Sequence, residues 1–164
     1  MSARGIGLAA ATMAFALDQG SKTLAINSPT LEQGVEVLPV LNLVAVRNDG
    51  VSFGMLGGLA PWWALVGLAL GIMAALLVWL WRTQSRLLGA ALGLVLGGAL
   101  GNVLDRLRHG GVTDFLDFHF AGYHWPAFNL ADSAIFLGVA LLLWAEWRTR
   151  AVEADRASPR ARGR

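Results

Sequence analysis

Cysteine is absent from the 164 residues of this chain, and charged side chains are scarce. The absence of thiols excludes disulfides, thiolate metal sites and a cysteine nucleophile. Asp, Glu, Lys and Arg make up 15% of the residues, whereas soluble domains contain about 25%. Hydrophobic residues make up 55%, and the mean hydropathy is +0.55. This composition is typical of a protein that lies in a lipid bilayer.

Four apolar segments have the length of a membrane-spanning helix, which is about 20 residues for a hydrocarbon core of about 30 Å. They cover residues 6–26, 62–81, 87–104 and 130–147. We expect the first to be a retained span rather than a cleaved signal peptide, because it carries Asp18 and Lys22 and no small-residue cleavage site. The sequence therefore predicts an all-α membrane protein with four transmembrane helices.

The basic residues predict the orientation of these spans. Nine of the thirteen Lys and Arg residues lie at Arg4, in the turn 82–86 and in the tail 148–164. All three places fall on one side if four spans alternate, and the positive-inside rule makes that side cytoplasmic. We expect both termini there, with a frayed or disordered tail. Topology thus explains the basic charge, and without a basic face carrying interleaved aromatics we expect no nucleic-acid partner.

Two segments on the outer side are too long to be simple connections. Residues 27–61 form a loop in which residues 35–46 are rich in β-branched side chains, which predicts one or two short strands. Asn48-Asp49-Gly50 then predicts a turn. We expect a small β-rich outer subdomain. Residues 105–128 mix acids, histidines and aromatics, and we expect them to lie in the membrane interface.

The third span carries glycines at positions 89, 93, 97 and 101, one at every fourth residue. Small residues at this spacing share one helix face and let neighbouring backbones approach closely. We therefore expect the third span to be the central packing helix.

Polar residues from five segments converge at one depth on the outer side. They are Asp18, Lys22, Asn48, Asn102, Asp105, Arg106, Asp114, Asn129 and Asp132. Ionisable groups in a membrane are costly and rarely gather without a function. The three histidines lack the spacing of metal ligands, so we expect no metal in this cluster.

Several of these residues also have a purely structural explanation. Asp18 and Lys22 have the i, i+4 spacing of an ion pair that neutralises itself inside the bundle. Asn129 and Asp132 have a spacing related to the capping box, and Asp114 fits an Asx turn. These explanations account for each residue separately but leave the convergence unexplained.

Two aspartates held close together can hydrolyse an amide without a metal, serine or cysteine. One carboxylate ionises and activates water, while the other keeps its proton and polarises the carbonyl oxygen. A proton-coupled transporter is the main alternative, although acids at several depths would be expected there. A Ser/Lys peptidase using Ser21 or Ser52 with Lys22 and a non-catalytic scaffold are further alternatives; adjacent Ser21 and Lys22 project from different helix faces.

Five motifs resemble those of the lipoprotein signal peptidase (type II signal peptidase) family, in the family's order. Residues 18–22 are similar to D-Q-x-x-K, 48–53 to N-x-G-x-[AS]-F, 97–106 to G-G-x-x-G-N-x-x-D-R, 109–115 to H-G-x-V-x-D-F, and 128–132 to F-N-x-A-D. The resemblance covers nearly the whole chain outside the tail. Val51 replaces the commoner alanine, which we expect to narrow the pocket, and the tail is longer than usual.

The resemblance implies roles for the cluster. Asp114 and Asp132 would form the catalytic pair, and Asp105 would orient Arg106. Asn48, Asn102, Arg106 and Asn129 would position the substrate and the aspartates, while Asp18 and Lys22 would stabilise the site. The substrate would be a prolipoprotein with a diacylglyceryl cysteine, cleaved just before that cysteine at the outer face of the bacterial inner membrane. We expect no cofactor, contacts with membrane lipids, a monomer, and a substrate clamp that includes residues 115–125.

Overall fold

The computed structural model describes residues 1–49 and 61–157. In this part of the chain, four long helices, one 3-10 turn and four strands follow one another. They are α1 Ala3–Ile26, the 3-10 turn Pro29–Glu32, β1 Val35–Leu38, β2 Leu41–Asn48, α2 Trp62–Arg82, α3 Arg86–His109, β3 Val112–Phe120, β4 Tyr123–His124 and α4 Leu130–Ala157. The prediction of a mostly helical protein with a small sheet is confirmed.

Three of the helices in the described residues are long and apolar enough to cross a membrane. They are Trp62–Arg82, Arg86–His109 and, within α4, Leu130–Arg150. The first predicted span, α1, has sufficient length, but Asp18, Gln19 and Lys22 lower its hydropathy. The crossing of the membrane by α1 therefore stays a prediction.

Helix α3 lies at the centre of the bundle. In its apolar part 61% of the residues are buried, against 11% in α2 and 17% in α4. The glycine face explains this burial, because a Cβ added at Gly89, Gly93 or Gly97 would collide with backbone oxygens of α1. On another side of α3, Gly98 lies against the backbone of Ala131 in α4. The prediction that the third span is the central packing helix is confirmed.

The four strands form one antiparallel sheet in the order β1-β2-β3-β4. β1 lies in the segment 35–46 predicted to form strands, and β2 begins there but continues to Asn48, where a turn was predicted. β3 and β4 occupy a segment for which no strand was predicted. The sequence does not predict β3, because this strand contains Asp114 and Asp117 and aspartate is disfavoured in strands. Amide side chains of β2 compensate: Asn48 donates to Asp114 at 2.9 Å, and Asn42 donates to Asp117 at 3.0 Å.

One helix is longer than its predicted span, and one expectation for the tail is wrong. α3 continues past residue 104, the end of the predicted span, to His109, and it stops at Gly110, whose φ of 74° places it in the left-handed region that ends many helices. α4 continues to Ala157, so the expectation of a frayed tail fails for residues 148–157. Ala, Glu and Arg favour a helix there, and Arg150 pairs with Glu146 one turn earlier at 2.8 Å. The predicted turn at Gly50, the pocket effect of Val51 and the last seven residues of the tail lie outside the described residues.

Replacing Gly93 by alanine tests the close packing of α1 on α3. The new methyl group would collide with the carbonyl oxygen of Gly7 and lie 3.0 Å from the Cβ of Ala10. We expect the free energy of unfolding to fall by about 1–3 kcal/mol, the usual cost of overpacking, as measured by thermal unfolding in detergent. Gly67→Ala is the matched control, because no atom from another part of the described structure lies within 4 Å of the added group. Equal losses in both variants would contradict this packing account.

Candidate active site

The ammonium group of Lys22 lies inside the bundle, with 2% of the residue exposed. Its Nζ atom is 2.9 Å from Oδ2 of Asp18, on the same helix, and 3.3 Å from Oδ2 of Asp105 in α3. It also donates a hydrogen bond to Oδ1 of Asn102 at 2.9 Å. Lys22 therefore ties α1 to α3 through two carboxylates and an amide.

This contact determines the orientation of the Asn102 side chain. An ammonium group can only donate hydrogen bonds, so the oxygen of the amide must face Lys22. The NH₂ group then points the other way and donates to Oδ1 of Asp132 at 2.9 Å. The buried charge on α1 thus acts on the carboxylate of Asp132 through Asn102.

Asn129 is oriented in a similar way by the start of α4. Its Oδ1 atom accepts from the backbone N–H of Asp132 at 2.9 Å, and Oδ2 of Asp132 accepts from the backbone N–H of Asn129 at 3.3 Å. These reciprocal bonds are those of a capping box, so Asp132 does cap its helix. Because the oxygen of Asn129 is occupied, its NH₂ group faces Oδ1 of Asp114, at 2.7 Å.

Asp114 lies on β3 and is 2% exposed. Its second oxygen, Oδ2, accepts a hydrogen bond from Asn48 at the end of β2. The pKa of Asp114 is raised to about 6, mainly by burial and also by the negative charge of Asp132, while the hydrogen bonds from Asn48 and Asn129 oppose the shift. Asp114 therefore exchanges its proton much closer to neutral pH than an ordinary aspartate.

Asp114 and Asp132 line the same cavity, which has a volume of about 200 Å³. Asn48, Asn102 and Arg106 contribute its other polar lining, and apolar side chains of α2, α3, α4 and the start of β3 form the remaining wall. The cavity thus combines two carboxylates, amide groups and a guanidinium group in one small space. Such a set can bind a peptide backbone and carry out proton transfer.

All nine residues of the predicted cluster meet here. Arg106 joins through a hydrogen bond from Nη1 to the backbone oxygen of Asn102 at 3.3 Å. Asp105 receives Lys22 and the backbone N–H of Thr113, at 3.0 Å from its Oδ2, and its expected role in orienting Arg106 stays a prediction. Asp18 accepts the backbone N–H of Ala131 at 2.9 Å and so binds the first turn of α4.

Gln19 was missed as a member of the site. Its Nε2 atom donates to Oδ2 of Asp18 at 3.1 Å and reaches Oδ1 of Asp105 at 3.5 Å, so it bridges the two carboxylates that hold Lys22. The sequence feature that could have identified Gln19 as part of the site is its position between Asp18 and Lys22 in an apolar span. Its partner on α3 could not be inferred from that position.

The geometry gives less support to a Ser/Lys peptidase and to a metal-dependent mechanism. The hydroxyl of Ser21 donates to the backbone oxygen of Asp18 at 2.9 Å, and the ammonium of Lys22 is occupied by the contacts above. Ser52 lies outside the described residues. Within those residues, no group of three or more His, Cys, Asp or Glu side chains is arranged to hold a metal ion.

Comparison with known proteins gives a consistent result. The model of the signal peptidase (SPase) II family matches residues 10–148. A lipoprotein signal peptidase of Azoarcus sp. is 50% identical over 147 residues, covering 86% of this chain and 81% of the relative. One from Alteromonas mediterranea is 47% identical over 135 residues, covering 80% and 74%.

Solved structures agree with the sequence comparison. A bacterial membrane enzyme superposes with a TM-score of 0.82 at 28% identity, covering 94% of this chain and 93% of that one. A second gives 0.75 at 30% identity, covering 86% and 92%. The protein is therefore a bacterial membrane peptidase. The chain belongs to the signal peptidase II family.

Replacing Lys22 by methionine tests the buried ion cluster. The change keeps the length of the side chain but leaves Asp18 and Asp105 without their cation, so we expect the free energy of unfolding to fall by about 3–5 kcal/mol. Activity should fall as well, because the amide of Asn102 becomes free to turn. Adding Asp18→Asn should recover part of the stability and not all of it, because Asp105 remains charged. Thermal unfolding of both variants makes the comparison, and a double variant no more stable than Lys22→Met would show that the two side chains do not pair.

Proposed function

We propose that this peptidase is an aspartic endopeptidase that removes the signal peptide from diacylglyceryl-modified prolipoproteins and cleaves just before the lipidated cysteine. Asp114 and Asp132 are its catalytic pair. The observation that carries the proposal is that two carboxylates, one from β3 and one from α4, line one cavity with amide donors fixed on each of them.

The chemistry follows from a pair that shares one proton. The ionised carboxylate takes a proton from water, whose oxygen attacks the carbonyl carbon of the scissile amide. The protonated carboxyl donates to the carbonyl oxygen, and collapse of the tetrahedral intermediate passes a proton to the nitrogen of the leaving cysteine. The raised pKa of Asp114, about 6, supports such a pair, which titrates as a unit.

The supporting residues hold this arrangement in place. Asn102 and Asn129 keep the two carboxylates oriented, and Lys22 and the N–H groups of α4 prevent the two amides from turning over. Arg106 offers its guanidinium group to the carbonyl groups of the bound peptide. A pair held in this way needs no reorganisation when the substrate arrives, which favours the reaction.

We place the site at the outer face of the inner membrane, with four spans and both termini in the cytoplasm. Helix α1 has 24 residues and a length of about 36 Å, enough to cross the hydrocarbon core. Domain 1–147 is then the membrane peptidase, which acts as a monomer, and residues 148–164 are cytoplasmic. A lipid-anchored substrate keeps its scissile bond at the bilayer surface, at the level of this site.

A proton-coupled transporter was the main alternative, and the comparisons give it no support. The family model and the relatives point to signal peptidases. The contacts also favour hydrolysis, because two acids of the site, Asp114 and Asp132, line one cavity between the end of α3 and the start of α4.

Substituting each aspartate by asparagine tests the catalytic pair. Asp132→Asn keeps the oxygen that accepts from Asn102 and loses the oxygen that accepts the N–H of Asn129, so we expect substrate binding close to wild type and a loss of stability of about 0.5–1.5 kcal/mol. Cleavage of a purified diacylglyceryl prolipoprotein should fall below about 1% of the wild-type rate, because general acid–base catalysis is worth about 10²–10⁴. Asp114→Asn should behave alike, and the double variant should be scarcely slower than either single one.

Asp117→Asn is the matched control for this experiment. Asp117 lies three residues after Asp114 on β3, where it pairs with His124 and Asn42 outside the cavity of the site. We expect the kcat of this variant to stay close to wild type, because Asp117 does not line the cavity of the two carboxylates; an effect on the expected clamp of residues 115–125 would appear in KM. If Asp132→Asn lost stability but retained most of its activity, Asp132 would be a helix cap and no catalyst.

Single-cysteine labelling tests the topology, since the chain has no native cysteine. Gln33 and Gln84 are both exposed on the protein, and they lie on opposite sides of the membrane in the four-span arrangement. An impermeant maleimide applied to intact spheroplasts should label Gln33→Cys and leave Gln84→Cys unlabelled until the membrane is opened. Labelling of Gln84→Cys from outside would overturn the orientation.

A further inference from the structure

A second cavity adjoins the site on the far side of Asp132. It has a volume of about 570 Å³ and lies between α4 and the extended segment that precedes it. Its apolar lining comes from Trp125, Ala127, Phe128, Ile135, Phe136 and Val139. Among the described residues that line it, Asp132 carries the only charge, which makes the cavity a hydrophobic channel that begins at a carboxylate.

The channel runs along one face of α4. Asp132, Ile135, Phe136 and Val139 stand at positions i, i+3, i+4 and i+7, which share one side of a helix. With a rise of 1.5 Å per residue, Val139 lies about 10 Å from Asp132 along the helix. The channel therefore leads from the site into the apolar part of the Leu130–Arg150 span.

Backbone hydrogen bonds hold the opposite wall in position. The N–H of Trp125 donates to the oxygen of Phe118 at 2.7 Å, and the N–H of Phe128 donates to the oxygen of Leu116 at 3.0 Å. The ring of Phe128 stacks on Phe118, with 5.8 Å between centroids. Because these bonds attach the wall to β3, the channel is already formed without a ligand.

The two cavities differ in ways that suit different parts of one substrate. The smaller one, of about 200 Å³, is lined by both carboxylates, by Asn102 and by Arg106, which can bind a peptide backbone. The larger one offers hydrocarbon almost throughout. Asp132 and Ile135 line both, so a substrate cut at Asp132 could occupy the two together.

We propose that the larger cavity binds an acyl chain of the lipid carried by the substrate's cysteine. This inference rests on the proposed function, because it needs a substrate that is lipidated next to the scissile bond. The ester-linked chain enters sideways from the bilayer, where Phe136 is 78% exposed and Val139 is 43% exposed. A peptide helix fits less well, since it is about 10 Å across and a 10 Å length of it fills about 800 Å³.

The channel contributes orientation more than affinity. Lipid tails are as apolar as the lining, so an acyl chain gains little from leaving the bilayer. A chain held along α4 does, however, fix the cysteine beside Asp132, and correct placement of the reacting groups speeds the chemical step. The expected signature is a dependence of kcat/KM on the length of the acyl chain.

Filling the deep end of the channel tests the proposal. Long acyl chains reach Val139 and short ones end before it, so Val139→Trp should act mainly on long-chain substrates. We expect the ratio of kcat/KM for a dipalmitoyl substrate to that for a dibutanoyl substrate to fall about tenfold. Leu137→Trp is the matched control, because Leu137 is 51% exposed on α4 and lines neither cavity, and its ratio should equal that of wild type.

An unchanged ratio in Val139→Trp, or an equal fall in Leu137→Trp, would overturn the acyl-chain assignment. If wild type cleaved no lipidated substrate at all, the proposed function itself would fail, which is a separate result.

If Val139→Trp does not fold, the wild-type protein can be tested with a substrate analogue that has a reduced scissile amide and a diazirine at the end of its acyl chain. Photolysis should label the peptide that contains Phe136 and Val139, and an unlabelled analogue should compete. Labelling of Leu68 or Ile72 on α2, or of neither region, would contradict the proposal.

Discussion

The buried ammonium group of Lys22 is the interaction on which the rest of the site depends. A cation inside a membrane bundle is costly unless it is paired, and here two carboxylates and one amide surround it. Since the ammonium group can only donate, the contact also fixes which end of Asn102 faces Asp132. The charge of Lys22 therefore compensates the two buried carboxylates and, through Asn102, orients the carboxylate of Asp132 in the proposed catalytic pair.

The same cluster joins the elements that carry the site. Asp18 binds the first turn of α4 through Ala131, and Asp105 binds the start of β3 through Thr113. The residue before each proposed catalytic aspartate, Thr113 or Ala131, thus donates its backbone N–H to one of the two carboxylates that hold Lys22. The glycine face of α3 makes this possible, because it brings α1 close enough for Lys22 to reach Asn102 and Asp105. Stability and the proposed chemistry consequently depend on the same few contacts.

Much of this arrangement could be predicted because its signals are local. Apolar length and glycine spacing predicted α2, α3 and α4 and the central place of α3. Polar residues in or next to the apolar segments and in the two outer loops marked all nine members of the cluster. β3 was missed because its aspartates, which oppose a strand locally, are satisfied by Asn48 and Asn42 from another strand. The contacts of Gln19 and Asp105 and the channel beside α4 were missed for the same reason, since each depends on how distant segments pack.

The central claim is that the carboxylates of Asp114 and Asp132 act on each other across one cavity. It is tested most directly by following the carboxyl ¹³C resonance of Asp114 in protein labelled at its aspartates, with the signal assigned by its loss in Asp114→Asn. Burial first, and then the charge of Asp132, raises the pKa of Asp114 to about 6. The account predicts that this pKa falls when Asp132 is replaced by asparagine, because the neighbouring negative charge is gone. A pKa of Asp114 that stays the same in Asp132→Asn would contradict it.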